Sequence, residues 1–207
     1  MRLLSVNVGK GRVVQVGNRE VETGIHKLPV VERVPVGSLG LQGDTIVDTR
    51  HHGGADQALY MYSAQDYAWW EKELGRPLAF GLFGENLTFS EFGGSVHIGD
   101  RFCVGSVVLE ATAPRIPCAV FAARMDDPKF VKRFRNARRP GFYARVIEPG
   151  HVGVGDSIQK ISSGNAYLTV DEMFELHYQK PSQEALARLL EAPISARNRE
   201  YYAGLLE

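Results

Sequence analysis

The chain has 207 residues, 44% of them hydrophobic and 23% charged, and its 24 basic and 24 acidic side chains cancel. That length supports one main domain with a real core and at most a small appendage. The charge balance gives no global attraction for a nucleic acid polymer or an anionic membrane, so any anion site must be local.

Two cysteines, Cys103 and Cys118, allow at most one internal disulfide and cannot furnish a four-cysteine iron-sulfur or zinc site, so a reducing compartment is expected. Polar residues interrupt the apolar ones near the N-terminus before a signal-peptide core can develop, and no apolar run approaches membrane-spanning length. The expectation is a soluble, cytoplasmic protein.

In chain order, residues 3–8 and 12–16 are short β-branched runs broken by Gly9 and Gly11, which predicts a hairpin or two consecutive strands. Residues 30–36 form another candidate strand, checked by Pro35. A loop with three glycines follows over residues 37–44, and a second polar loop carries His51, His52, Gly53 and Gly54 into an apolar strand near Tyr60. Ser63 and Asp66 then make a capping start for a helix whose Tyr67, Trp70 and Leu74 share one face, ended by Gly75 and Pro77. That aromatic stripe reads as core.

Residues 81–88 form a polar loop holding Glu85, Asn86 and Thr88. The pattern of residues 96–100 recurs at 152–156, each predicting an alternating strand closed by a tight Gly-Asp turn. Residues 102–104, 107–112 and 142–148 read as strands, with Cys103 in the core. Asp127 and Pro128 predict the start of a short helix bearing Phe130 and Phe134 on one face. After residue 165 the composition turns to helix formers, with capping signals at Thr169, Ser182 and Ser195. These predict three short helices too small to fold alone, packed on the β body or on a second subunit.

Pro114, Arg115, Ile116, Pro117 and Cys118 stand between a strand and a helix, and the fixed φ of both prolines restricts the relation of thiol to guanidinium. Cys118 has three readings: a buried small hydrophobe, a nucleophile lacking a nearby base in sequence, or a metal ligand whose ionised form Arg115 favours. From Lys129 to Arg145 there are seven basic residues and no acidic one. They are read equally as a phosphate site or a solvated face, with Arg138, Arg139 and Arg145 favoured as ligands for their planar donor forks. His51 and His52 make a weak metal pair, since neighbours on a strand point to opposite faces. Asp44, Asp48, Asp56 and Glu85 are open as general acids or turn formers.

These motifs together, from Gly43 and Asp44 through the paired histidines, Asp56 to Leu59, Gly84 to Thr88, Ile98 to Asp100 and the Pro114 to Cys118 segment, resemble a MOSC domain, the molybdenum-cofactor sulfurase C-terminal family. The resemblance runs in order over residues 30–161, and the helices after it resemble the three-helix domain of the YiiM-type branch. It implies a closed, mostly antiparallel β-barrel with a few short helices over residues 1–163, and a C-terminal three-helix domain over 164–207. It implies a molybdenum cofactor (molybdopterin) bound in a loop-lined cleft with Cys118 as metal ligand, and contacts from Arg115, His52, Asn86, Thr88, Arg139 and Arg145.

The function so implied is reduction of a small N-hydroxylated substrate, such as a hydroxylaminopurine-like base, with Cys118 in the catalytic role. The rival is a non-enzymatic carrier that holds the cofactor or a sulfur on Cys118. The sequence carries no nicotinamide-binding glycine fingerprint after a strand and no cluster of cysteines, so a separate electron-donating reductase is expected. The helical appendage is compatible with a homodimer.

Overall fold

The computed structural model describes residues 1–47 and 53–206, and His51, His52 and Asp48 lie outside them. Among the described residues the strands are β1 (Leu3–Gly9), β2 (Arg12–Val16), β3 (Arg19–Thr23), β4 (Lys27–Val30), β5 (Val34–Gly37), β6 (Gly40–Leu41), β7 (Leu59–Ser63), β8 (Leu87–Phe89), β9 (Arg101–Val104), β10 (Val107–Pro114), β11 (Phe142–Glu148), β12 (Gly150–Val152) and β13 (Ile158–Ile161). The helices are α1 (Ala64–Leu74), α2 (Ala119–Arg124), α3 (Phe130–Ala137), α4 (Val170–His177), α5 (Gln183–Glu191) and α6 (Ala196–Ala203). The chain is therefore mainly β with six helices.

Eight strands form one sheet in the order β13-β9-β10-β11-β7-β8-β1-β4, all neighbours antiparallel except β7 with β8. The sheet curls until Arg2 bridges Ser157, with backbone bonds from Leu3 N–H to the Asp156 carbonyl and from Ile158 N–H to the Met1 carbonyl, each about one residue from that bridge. The strand order itself stays open, and this isolated bridge does not make the continuous ladder that a closed barrel requires. β2 and β3 form a separate hairpin, and β5 lies between β12 and β6 in a small third sheet. The first two runs are thus consecutive strands in different sheets.

Alternation fills the interior of the curl: Leu3, Val6, Leu59, Met61, Leu87, Phe89, Phe102, Val104, Leu109 and Phe142 are all buried. Cys103, flanked by inward Phe102 and Val104, faces the other way and is only half-buried, which corrects its reading as core. Outside the sheet, Trp70 on α1 stacks on Phe134 at a centroid distance of 6.1 Å, and Phe121 on α2 meets Phe130 and Phe134 edge-on at 5.2 and 5.1 Å. This aromatic block pins α1, α2 and α3 together. The stripe on α1 is core, as its spacing predicts.

Several boundaries differ from expectation. Residues 30–36 do not form one strand, because β4 ends at Val30 and β5 starts at Val34 in another sheet. Residues 96–98 contribute only a bridge from His97 to Thr169. The two Gly-Asp turns are nonetheless alike: Gly99 and Gly155 take φ of +86° and +89°, and Asp100 and Asp156 each accept from the N–H three residues back. Asp127 does not cap α3 directly, since it accepts from Lys129 N–H in the turn before the helix.

The caps at Thr169, Ser182 and Ser195 are formed as their spacing predicts, Thr169 in a reciprocal box with Glu172. The C-terminal helices are tied to the β body by backbone bonds from Val170 N–H to the Val96 carbonyl and from Ile98 N–H to the Leu168 carbonyl.

Candidate functional site

Pro114 ends β10, and Cys118 sits in extended backbone as the N-cap residue of α2. Phe121, one turn on, anchors α2 in the aromatic block and so fixes where the thiol stands. Cys118 is a free, half-buried thiol. Its charged and phenolic neighbours are Arg115 and Tyr143, both of which feel it electrostatically.

Arg115 is only 4% exposed. Its guanidinium lies 4.6 Å from the ring centre of Phe121 and 5.0 Å from that of Tyr60, and Nη1 donates to the Tyr143 hydroxyl at 3.2 Å. Its Nε is buried with no partner among the described residues. Burial opposes the positive charge, but Tyr143, Tyr60, Cys118 and Glu85 together more than offset that opposition and hold the group above its usual pKa. Arg115 is therefore a fixed cation beside a free thiol, with donor capacity to spare.

Two further buried charges flank it. Lys27, 6% exposed, pairs with Asp44 at 2.5 Å, and Asp44 also accepts from Gly9 N–H at 2.8 Å and from Asn86 Nδ2 at 2.8 Å. Burial depresses the Lys27 pKa against the pull of Asp44, and Arg115 depresses it further. Glu85 is fully buried, and its Oε1 accepts from Tyr67 Oη at 2.6 Å, Gly81 N–H at 2.7 Å and Thr88 Oγ1 at 2.8 Å while Oε2 has no partner. Burial raises its pKa in spite of those donors. Gly81 reaches the carboxylate from a turn at φ +86°, and a Cβ there would stand 2.6 Å from the Lys27 carbonyl oxygen.

The polar seam continues from Thr88, which accepts from Asn7 Nδ2 at 3.1 Å, to Ser5, whose hydroxyl donates to Asn7 Oδ1 at 2.7 Å. Asn86 accepts from Tyr60 N–H at 3.1 Å, so the seam locks β1, β7 and β8 around the strand that carries Tyr60.

Of the residues singled out from sequence, Cys118, Arg115, Asn86 and Thr88 belong to this region. Asn86 and Thr88 spend their hydrogen bonds on the protein. Arg139 lies elsewhere: it pairs with Asp66 at 2.6 Å, stacks over Trp69 and lines a separate cavity of about 270 Å³ with Asp171 and Phe142. Arg145 is also turned away, donating to Asp56, to Glu110 at 3.1 Å and to the Ile194 carbonyl at 3.1 Å, where it ties β11 to the C-terminal helices. His52 falls outside the described residues. The sequence reading passed over Lys27, Asn7, Tyr60 and Tyr143. The one signal for them was Ser5 and Asn7, polar residues inside an otherwise apolar strand.

Among the described residues no three His, Cys, Asp or Glu side chains could hold a metal together. A free thiol beside a pinned guanidinium with an unused N–H fits an anionic, metal-bearing cofactor. Among the described residues no helix is long and apolar enough to cross a membrane.

The sequence model of the MOSC domain matches residues 48–159. Over 196 residues the chain is 34% identical to the uncharacterized protein YflK of Bacillus subtilis, a match covering 93% of this chain and 89% of that protein. It is 31% identical over 161 residues to a protein named a reductase from Gibberella moniliformis, covering 75% of this chain but 28% of that one. The structure superposes on the crystal structure of YiiM from Geobacillus stearothermophilus with a TM-score of 0.82 at 28% identity, covering 100% of this chain and 99% of that one. With the motif thiol at the head of α2 and the fold matched end to end, the chain belongs to the MOSC domain family.

Proposed function

We propose that the protein is a molybdenum-cofactor-dependent reductase that removes the oxygen of small N-hydroxylated compounds, hydroxylaminopurine-like bases among them. The observation that carries this reading is the free Cys118 thiol held beside the buried, under-used guanidinium of Arg115. The net reaction cleaves an N–O bond and consumes two electrons and two protons, giving an amine and water. When bound, the cofactor supplies the two-electron redox centre.

The chain's own residues supply the setting. Cys118 is the ligand to the metal, and Arg115 stands near it as a fixed cation that cannot swing away, being clamped between Tyr60 and Phe121. Tyr143 is fixed against Arg115 by the hydrogen bond from its guanidinium and packs on Tyr60. Asn86, Thr88 and Glu85 act as positioning residues, because their hydrogen bonds are made within the protein, to backbone, to one another and to Asp44, Asn7 and Tyr67.

A separate flavoprotein or cytochrome reductase delivers the electrons. The purified protein loaded with cofactor is expected to convert a hydroxylaminopurine to the aminopurine with a chemical reductant or an added reductase, and to show no turnover with NADH alone. Turnover with NADH alone would remove the separate donor, and cofactor-loaded protein without turnover under any donor would favour a carrier.

A further inference from the structure

Two cavities meet at the start of α4. One, of about 270 Å³, lies between the first turn of α1, the 92–96 loop and the 138–142 segment. The other, of about 490 Å³, lies between α4 and α5, and Arg138 and Asp171 line both. Their walls are fixed. The Tyr62 and Tyr60 hydroxyls donate to the Arg139 and Pro140 carbonyls at 3.0 and 2.8 Å, and Val170 N–H donates to the Val96 carbonyl at 2.8 Å. Arg138 itself stands at φ +52°, a left-handed conformation that a bulky residue keeps only where the surrounding structure imposes it.

The charges along these cavities leave one carboxylate over. Arg139 is spent on Asp66 at 2.6 Å, and Arg138 turns to Glu175 at 2.9 Å. Asp171, between them, joins no ion pair and accepts no hydrogen bond among the described residues. Desolvation and the Asp66 carboxylate raise its pKa against the pull of Arg139, the condition of a carboxylate short of a counter-ion. The two cavities also differ in character: the smaller presents Ser63, Asp66 and the half-buried ring of Phe92, the larger Leu168, Leu176 and Ala185. A ligand that suits the junction therefore carries a positive head for Asp171 and an apolar body for the groove between α4 and α5.

We propose that this junction binds a small organic cation, an amine or amidine whose charged head sits at Asp171 and whose apolar body lies along Leu168 and Leu176. The site goes beyond the reductase reading and uses none of the residues on which that reading rests.

Calorimetric titration of the full, cofactor-free chain at low salt tests the site, with benzylamine as the cationic probe and benzyl alcohol as a neutral probe of nearly the same shape. Wild-type protein is expected to bind benzylamine in the low millimolar range and benzyl alcohol about tenfold more weakly, the usual worth of a hydrogen bond to a charged group. Asp171→Asn brings the two affinities together. Asp171→Glu, which keeps the charge, retains part of the preference and shows that Asp171→Asn did not act by unfolding the protein. Glu20→Gln, which removes a carboxylate on the β2–β3 hairpin, leaves the preference unchanged.

Hydrogen exchange with and without saturating benzylamine gives the location, and slower exchange in α4 and α5 is the expected result. Benzylamine that does not bind wild type, equal affinity for the two probes, a preference that survives in Asp171→Asn, or protection confined to elements other than α4 and α5 overturns the proposal. The protein titrated carries no cofactor, so the outcome is the same whether or not the chain is a reductase.

Discussion

Cys118→Ala is expected to lose its molybdenum and its reductase turnover while folding normally. The thiol makes no capping hydrogen bond to α2 and is half-buried, so its removal should change stability by less than about 1 kcal/mol. Loss of a supporting group around a metal costs about 10–100-fold in affinity or activity, and loss of the one protein ligand should cost at least the upper figure. Thermal unfolding, metal analysis and turnover on the same preparation check this. Full turnover in the variant would contradict the assignment of Cys118, and a collapse of stability with it would recast the residue as structural.

Glu85→Ala is expected to have the opposite signature, a large loss of stability. Three donors, on Tyr67, Gly81 and Thr88, converge on one buried oxygen and would be left without an acceptor. At about 1–2 kcal/mol for each of the three unsatisfied groups, the lower part of the usual cost, the variant should lose roughly 3–6 kcal/mol, much of the stability of an ordinary domain. A chain of this size would melt about 10–20 °C lower. Glu85→Gln, which keeps an acceptor oxygen, should lose far less.

The pH dependence follows from burial. Because the folded state holds the Glu85 proton more tightly than the unfolded chain, whose value is about 4.5, this group's contribution is greatest below that pH and falls as pH rises through the folded value. Glu85→Gln removes that slope. Melting curves for wild type and both variants across the acid to neutral range measure it. Glu85→Ala within about 1 kcal/mol of wild type would show that the network reorganises around the gap.

What the sequence made legible was local. Ser63, Thr169, Ser182 and Ser195 announce their helices because a hydroxyl beside the first turn satisfies an otherwise orphaned N–H, a rule that operates within three residues. The placement of Cys118 at the head of a helix was equally local. The surroundings of that thiol were not, because Arg115 meets Tyr60 and Tyr143 only once β10, β11 and β7 lie side by side.

The basic run over residues 129–145 shows the same limit from the other direction. Its arginines are neighbours in sequence, yet Arg139 turns to Asp66 while Arg145 turns to Asp56 and Glu110. At the end of α2, by contrast, Arg124 meets His26 and lies near Arg12, which come from distant parts of the chain. Adjacency in sequence predicted a charge cluster that tertiary pairing dissolves.

The central claim is that Cys118 holds a molybdenum cofactor, and metal and pterin content per chain, measured on protein purified without air from cells that make the cofactor, tests it most directly. Molybdenum and pterin approaching one per chain in wild type, and background levels in Cys118→Ala, are the expected result. Wild-type protein free of both, from cells whose other molybdoenzymes are loaded, would contradict it.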